Sequence, residues 1–282
     1  MGVLRMRPTR RLARLAHYAL LTVLGALFAF PFYWMFVTSV EPPGHLSDIP
    51  PNFLPLWDWH NYVAAWNAAP WGRYFLNTVF MAGAATALAL LTSLLAAYAF
   101  AMLRFPGKQL LFAAVLMALV IPDVVILVPQ YLILSELNWL NTYQALIVPF
   151  GASAFGIFLL RQFFLSLPGD LWNAAQIDGC SRTGYLFRVA APLARPVLGA
   201  VGLYSFLSMW NQFLYPLVMA GVNADVQPVQ VGLSAFLGTY NVDWSLLAAA
   251  SVFTTLPLLV VFFLAQRQII EGVALAGGTT RR

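Results

Sequence analysis

Charged residues are scarce in this chain of 282 residues. Only 9% of the residues are Asp, Glu, Lys or Arg, whereas roughly 25% is usual in a soluble domain. Apolar residues make up 61% of the chain, and its mean hydropathy is +0.77. So few charged side chains cannot cover a water-facing surface. The composition therefore excludes an ordinary soluble domain and indicates a membrane protein.

Cysteine and histidine are too few for a disulfide framework or an evident metal centre. The single cysteine, Cys180, has no partner for an internal disulfide. The three histidines, His17, His45 and His60, show no metal-ligand spacing with that cysteine. We therefore expect no metal ion and no disulfide in this chain.

Lysine is nearly absent as well. The only lysine, Lys108, is followed by Gln109, whereas a phosphate-binding P-loop has Ser or Thr at that position. The G-x-S-x-G signature of a nucleophilic enzyme is also missing. The formal charge of +5 resides mainly in arginines between apolar segments, a pattern that orients membrane helices. We therefore expect neither an enzyme nor a nucleic-acid partner.

Six apolar stretches are long enough to cross about 30 Å of hydrocarbon as helices. They are 18–40, 74–102, 110–134, 142–164, 197–221 and 244–266. The third contains Pro122 and Pro129, each of which removes a backbone donor that lipid cannot replace. A broken or re-entrant helix is therefore the alternative to a single third span.

The basic residues are segregated to one side of these spans. With six spans both termini lie on the same side, and every Lys and Arg except Arg73 falls there. The positive-inside rule makes that side cytoplasmic. We therefore expect a basic cytoplasmic tail at 1–17, an uncleaved first transmembrane helix and extracytoplasmic loop at 18–73, a core domain at 74–267, and a cytoplasmic tail at 268–282.

The segment 167–196, between the fourth and fifth spans, is much longer than a hairpin between membrane helices requires. The residues before Leu171 suit a helix start there, and Asp178 with Gly179 is a turn signal, because glycine tolerates positive φ. A second helical stretch runs from about Thr183 to Ala191 before two prolines. The segment therefore predicts a short helix, a turn and a second helix on the cytoplasmic face.

The same segment, NAAQIDGCSRTGYLFRVAAPLARP, resembles the EAA loop of permease subunits of ATP-binding cassette importers. The residues that match its pattern in register are Ala174, Ala175, Asp178, Gly179, Phe187, Pro192 and Pro196. Asn173 stands where that family usually has Glu. The resemblance implies that Asn173, Ala174, Ala175, Asp178, Gly179 and Phe187 couple the chain to an ATPase subunit, whose groove receives the short helix.

Further motifs are similar to the carbohydrate-uptake branch of that family, as in the second permease of maltose-type and glycerol-3-phosphate-type importers. They are AYAFAMLRFPGK at 97–108, NTYQALIVPF at 141–150, FLLRQFFLSLP at 158–168, WNQFLYPL at 210–217 and QRQIIEGVALAGG at 266–278. The resemblance implies an all-α type I importer permease with six transmembrane helices and a cytoplasmic coupling helix. The implied partners are a second permease, an ATPase dimer that binds ATP and Mg, an extracytoplasmic substrate-binding protein and membrane lipid. The chain itself is expected to hold no cofactor.

Three residues are candidates for a substrate pathway. Asp123 is the only acid within a predicted span. It either borders the substrate pathway, or caps backbone groups that are freed at a helix bend, or pairs with a partner chain. Trp210 and Asn211 either touch a polyol in transit or serve helix packing, and for the neighbouring Gln212 interhelical hydrogen bonding is the favoured interpretation.

The expected substrate is a sugar or related polyol, with glycerol-3-phosphate or a glycerophosphodiester as the alternative. Arg73 is the only basic residue on the predicted outer side, and it is the one residue there that favours an anionic substrate. An ion-coupled secondary transporter is the less favoured class, because one intramembrane acid and no obvious repeat argue against it. The Trp-rich segment 41–73 is either an interfacial anchor or a docking surface for an outside partner.

Overall fold

The computed structural model describes residues 8–42, 51–221, 223, 225–237 and 242–276. His45, the first seven residues of the predicted tail 1–17 and the last six of the tail 268–282 lie outside the described residues. The α-helices are α1 (Pro8–Ser39), α2 (His60–Asn67), α3 (Trp71–Met102), α4 (Lys108–Ala118), α5 (Asp123–Glu136), α6 (Tyr143–Ile147), α7 (Ala154–Ser166), α8 (Gly169–Ile177), α9 (Arg182–Tyr185), α10 (Ala191–Leu193), α11 (Arg195–Trp210), α12 (Leu214–Ala220), α13 (Val229–Leu233) and α14 (Trp244–Ala276). The predicted all-α class is confirmed.

Four helical stretches of the described chain are each long and apolar enough to cross a membrane. They are Arg14–Ser39, Trp71–Met102, Tyr143–Ser166 and Trp244–Leu264. They correspond to the first, second, fourth and sixth predicted spans. Two further bent helix pairs bring the number to six if each pair counts as one span.

The third predicted span, 110–134, is not one straight helix. It is divided into α4 and α5, which are bent by 102° relative to each other. Pro122 precedes α5 in an extended conformation, with φ −65° and ψ 137°. The residue before a proline is also biased away from helical geometry. The interpretation as a broken or re-entrant helix is therefore the correct one.

The fifth predicted span, 197–221, is interrupted as well. Helix α11 ends at Trp210 and α12 starts at Leu214. Pro216 has no N–H for the carbonyl of Gln212, four residues earlier, so a continuous helix would lose that hydrogen bond. On its other side, α11 forms the second bent pair, because the stretch Arg182–Leu193 meets it at 78°.

The chain divides into two compact units. One comprises Met1–Ala69 with Ala235–Thr255, and the other comprises Pro70–Ser234 with Leu256–Arg282. In the first unit, the backbone oxygen of Glu41 accepts hydrogen bonds from Asn61 Nδ2 at 2.9 Å and from Ser245 Oγ at 3.0 Å. These bonds tie the chain that follows α1 to α2 and to the start of α14.

The segment between α1 and α2 carries an exposed aromatic cluster in the first unit. Trp57 and Trp59 are more than half exposed, and their ring centroids lie 6.0 Å apart. Phe36 of α1 contacts both rings, at 6.2 and 6.3 Å. Such a cluster suits the lipid headgroup region and an outside partner equally, so both interpretations of segment 41–73 stay predictions.

Helix α3 is the central helix of the second unit and packs against α7 and α11. A small residue makes this approach possible, because a Cβ at Gly156 would lie 2.8 Å from Ser93 Oγ and 2.9 Å from a Val201 methyl carbon. Close helix packing through small residues is typical of membrane proteins, where lipid offers no hydrophobic driving force for association. Gly156 therefore sets the distance between these three helices.

Candidate functional site

The turn of the 167–196 segment has the geometry that its sequence predicts. Helix α8 begins at Gly169, two residues before the predicted start, and its C-cap is Asp178. Gly179 has φ +72°. The N–H of Cys180 donates to the carbonyl of Ala175 at 2.8 Å, and the N–H of Gly179 donates to that of Gln176 at 3.0 Å. These two bonds form a Schellman motif, which ends the helix and reverses the chain.

The second helical stretch differs from the predicted continuous helix between Thr183 and Ala191. Ser181 caps it, because its Oγ accepts the N–H of Gly184 at 3.0 Å. Helix α9 then leads into a π-helical turn at Leu186–Ala190 and into α10. Pro192 follows this turn and lacks the N–H that an α-helix would direct to the carbonyl four residues earlier. The wider turn accommodates that missing donor.

One face of the 167–196 segment is buried against the ends of α3 and α7. The buried residues of this core include Tyr98, Leu160, Phe164, Ala175, Tyr185, Leu186 and Ala190. Tyr98 Oη also donates to the backbone oxygen of Arg182 at 2.9 Å, and the rings of Trp172 and Tyr185 meet edge to face at 5.2 Å. The segment is therefore packed as part of the helix bundle.

The other face of the segment is exposed. Five of the six residues predicted to couple to an ATPase are exposed, namely Asn173, Ala174, Asp178, Gly179 and Phe187. Ile177 joins them with 87% of its surface exposed, and Phe187 is 53% exposed. Ala175 differs, because it is buried at 8% exposure and packs against the bundle. The structure thus leaves five of the predicted residues exposed and buries Ala175 in the core.

A small cavity of about 270 Å³ is lined by residues of α8 and α9 and of the ends of α3 and α7. Its lining includes Tyr98, Trp172, Asn173, Arg182 and Tyr185. The buried Tyr185 hydroxyl has no hydrogen-bond partner among the described residues. This cavity was not predicted from the sequence, because its lining comes from separate helices and no local motif marks it.

A larger cavity of about 500 Å³ lies in the second unit. Asp123, at the α4–α5 bend, is one of its lining residues, and so is Gln212 from the break between α11 and α12. Further lining residues come from helices α3, α5, α7 and α11. The structure therefore brings Asp123 together with Gln212, the residue for which interhelical bonding was the favoured interpretation.

The two other pathway candidates do not line this cavity. Trp210 is buried at 1% exposure, and its indole N–H has no partner among the described residues. Asn211 is exposed, and its Nδ2 donates to the carbonyl of Leu207 at 2.9 Å. A pathway role for Trp210 and Asn211 stays a prediction.

Within the described residues, no group of three His, Cys, Asp or Glu side chains is arranged to hold a metal ion. The features that stand out are two interrupted spans, a cavity between helices and a packed loop with one exposed face. Together with the continuous spans, these features define a polytopic helical membrane protein of the transporter type.

Residues 89–274 match the family model of the binding-protein-dependent transport system inner membrane component, and the chain belongs to that family. It is a multi-pass component of the inner membrane and a non-catalytic permease subunit of an ATP-binding cassette transporter. Permeases of this family hold no cofactor, and the ATPase is a separate subunit. Membership in a binding-protein-dependent family also argues against the ion-coupled alternative.

Several relatives align over most of the chain. The diacetylchitobiose uptake system permease protein NgcG of Streptomyces coelicolor is 35% identical over 94% of this chain and 88% of its own length. The arabinooligosaccharides transport system permease protein AraQ of Bacillus subtilis is 30% identical over 98% of this chain and 99% of its own. The sn-glycerol-3-phosphate transport system permease protein UgpE of Yersinia pestis is 32% identical over 90% and 94%, respectively.

A solved structure shares the fold. The crystal structure of a bacterial ABC transporter involved in the import of the acidic polysaccharide alginate contains a chain that matches with a TM-score of 0.79. The match covers 94% of this chain and 99% of that one, at 21% sequence identity. At this identity the likeness establishes the fold alone, and it agrees with the predicted importer permease fold.

Proposed function

We propose that this chain is one permease half of an ATP-driven importer of sugars or related polyols. The relatives that transport diacetylchitobiose and arabinooligosaccharides support a carbohydrate substrate. The partners are a second permease, an ATPase dimer that binds ATP and Mg, an extracytoplasmic substrate-binding protein and the surrounding lipid. Both termini and the 167–196 segment face the cytoplasm, where the basic residues are concentrated.

The observation that carries this proposal is the two-faced geometry of α8. Its inner side reaches the core through Ala175, whereas Asn173, Ala174 and Ile177 are exposed beside the turn at Gly179. A surface helix anchored in this way moves together with the helices behind it. Closure of the ATPase dimer on α8 is thereby carried into α3 and α7, as a coupling between two global states requires.

The substitution of Asn173 for the usual Glu changes the charge of this contact. A neutral amide at this position cannot form a salt bridge, but it still donates and accepts hydrogen bonds. We therefore attribute docking to the shape of the exposed α8 surface and to hydrogen bonds at Asn173. The residues that act in coupling are Asn173, Ala174, Asp178, Gly179 and Phe187 on the exposed face, with Ala175 as the buried support.

Glycerol-3-phosphate or a glycerophosphodiester is the second candidate substrate. The similarity to the glycerol-3-phosphate permease of Yersinia pestis favours it. The transport mechanism is the same for either class, because a binding protein delivers the substrate and ATP drives the conformational change.

Co-purification tests this function directly. The tagged chain, extracted in mild detergent from cells that express its genomic neighbours, should retain a second permease and an ATPase in stoichiometric amounts. The purified complex should hydrolyse ATP faster when the substrate-loaded binding protein is added. A chain that purifies alone and transports in liposomes under an ion gradient would contradict the proposal.

A further inference from the structure

The large cavity of the second unit is polar at the two places where its helices are interrupted. Asp123 is the first residue of α5, at the 102° bend, and Gln212 lies between α11 and α12. Irregular backbone at membrane depth is tolerated only where it is covered by protein or lines a water-filled cavity. Both interruptions border the same cavity, so polar side chains that lie far apart in sequence line one space.

Within the described part of the chain, these two polar side chains make no interhelical hydrogen bond. Among the described residues, no group hydrogen-bonds to or ion-pairs with the Asp123 carboxylate or the Gln212 side-chain amide. The neighbouring Tyr215 shows the contrast, because its Oη donates to the backbone oxygen of Ala145 at 3.0 Å. Interhelical bonding therefore accounts for Tyr215, whereas Asp123 and Gln212 are available to a ligand.

The charge of the cavity distinguishes between the two candidate substrate classes. Asp123 is the only charged residue among the described residues that line it. A carboxylate accepts hydrogen bonds from hydroxyl groups with both oxygens, and an amide both donates and accepts. The same carboxylate repels a phosphate. Arg73 does not offset it, because it is absent from the lining and its Nε donates to the backbone oxygen of Asp225 at 3.1 Å.

The size and walls of the cavity also suit a small carbohydrate. Its volume of about 500 Å³ lies within the range of roughly 300–1,000 Å³ that is usual for small-ligand sites. Phe155 and Tyr204 form part of one wall, with ring centroids 4.9 Å apart. Flat aromatic faces of this kind pack against the apolar face of a sugar ring while the polar groups bind its hydroxyls.

We propose that this cavity is a substrate contact site for an uncharged, hydroxyl-rich ligand, with Asp123 and Gln212 among its hydrogen-bonding groups. The inference rests on the proposed importer function and adds the chemical class of the substrate and two residues that touch it. The Asp123 carboxylate selects neutral sugars over phosphorylated ligands.

The test uses the complete transporter, reconstituted in liposomes with its binding protein and internal ATP. Initial uptake of two radiolabelled probes is compared, the uncharged diacetylchitobiose and the anionic glycerol 3-phosphate. We expect uptake of the uncharged probe and little uptake of the anionic one. In Asp123→Asn, uptake at saturating binding protein should fall roughly tenfold, because a hydrogen bond to a charged group becomes a neutral one. In Gln212→Leu it should fall roughly threefold to tenfold, because a neutral hydrogen bond is lost. ATPase stimulation by the loaded binding protein should persist.

Glu136→Gln is the matched control, because Glu136 is an exposed acid at the other end of α5 and does not line the cavity. Wild-type uptake in this control, and partial rescue by Asp123→Glu, would assign the effect to the position of the carboxylate. The amount of second permease that co-purifies with each variant is measured in parallel.

Three results would overturn the inference while the importer function stands. Uptake of glycerol 3-phosphate without uptake of the uncharged probe would contradict the substrate class. Wild-type uptake in both cavity variants would contradict the contact site. Loss of the second permease from Asp123→Asn, with normal uptake per remaining complex, would make Asp123 a subunit contact instead. Failure of the wild-type chain to assemble with an ATPase would contradict the importer function itself.

Discussion

At the residue scale, Gly179 shows most directly how one side chain determines local structure. A left-handed conformation costs an ordinary L-residue about 1–2 kcal/mol, and Gly179 adopts it at φ +72°. No neighbouring atom lies within 4 Å of a Cβ built there. A substitution at this position therefore strains the backbone without a side-chain clash.

Gly179→Val should uncouple transport from ATP hydrolysis. The strain of at least about 1–2 kcal/mol falls on the turn that presents α8, so uptake should decrease more than the ATPase rate does. Both rates are measured on the same proteoliposomes. Gly107→Val is the control, because Gly107 has φ +75° and similarly open surroundings but lies outside the 167–196 segment. Equal ratios of uptake to hydrolysis in the two variants would argue against a coupling role for Gly179.

Lys108 illustrates a residue whose role the sequence did not reveal. Its Nζ donates to the backbone oxygens of Leu103 at 2.9 Å and Ala101 at 3.3 Å, at the C-terminal end of α3. A cation there satisfies carbonyl groups that the helix leaves without partners and complements the helix dipole. From the sequence we could infer only that Lys108 is not part of a P-loop.

At the element scale, α8 places two adjacent alanines in opposite environments. Ala175 is buried among residues of the core, whereas Ala174 is exposed. Successive residues on a helix are about 100° apart, because 3.6 residues make one turn. Their equal size makes them a matched pair for separating stability from docking.

Ala175→Leu should lower the thermal stability of the purified complex. Overpacking a core position typically costs about 1–3 kcal/mol. Ala174→Leu should leave stability within about 0.5 kcal/mol, as is usual for surface positions, but should reduce the amount of ATPase that co-purifies. Thermal unfolding and subunit yield measure the two effects. A destabilised Ala174→Leu variant with full ATPase binding would contradict the assignment of the faces.

The interrupted spans are the elements for which sequence interpretation was least complete. Pro122 and Pro129 already indicated a break in the third span, and the structure places that break before α5. The break after Trp210 was not predicted, although Pro216 in WNQFLYPL was a usable signal. A proline removes a donor to the fourth residue before it, which places the interruption at Gln212.

At the scale of the whole molecule, orientation in the membrane stays a prediction from the distribution of arginine. The single native cysteine makes it testable with few substitutions. In a Cys180→Ser background, Thr183→Cys places a thiol on the predicted cytoplasmic face, and Asn67→Cys places one on the predicted outer face. Both positions are exposed.

A membrane-impermeant maleimide should label Asn67→Cys in intact spheroplasts and Thr183→Cys only in inverted vesicles. The Cys180→Ser protein without an added cysteine gives the background. The reverse pattern would place the 167–196 segment outside, where no ATPase could reach it.

The sequence by itself determined the class, the number of apolar stretches and the local turn chemistry. The class follows from the scarcity of charged residues, and the spans follow from the lengths of the apolar runs. The turn follows from the glycine after Asp178. Each of these features depends on composition or on neighbouring residues, so it can be predicted without knowledge of the tertiary structure. The resemblance to importer permeases also depended on local motifs.

Tertiary structure alone decided which face of α8 is buried and which polar groups share a cavity. Ala174 and Ala175 are indistinguishable by residue type, and only the packing of α3 and α7 separates them. Asp123 and Gln212 line one cavity because the interruptions of two spans both border it. Long-range packing determines both the buried face of α8 and the lining of the cavity. Local propensities cannot predict either, because they do not depend on which distant helices come into contact.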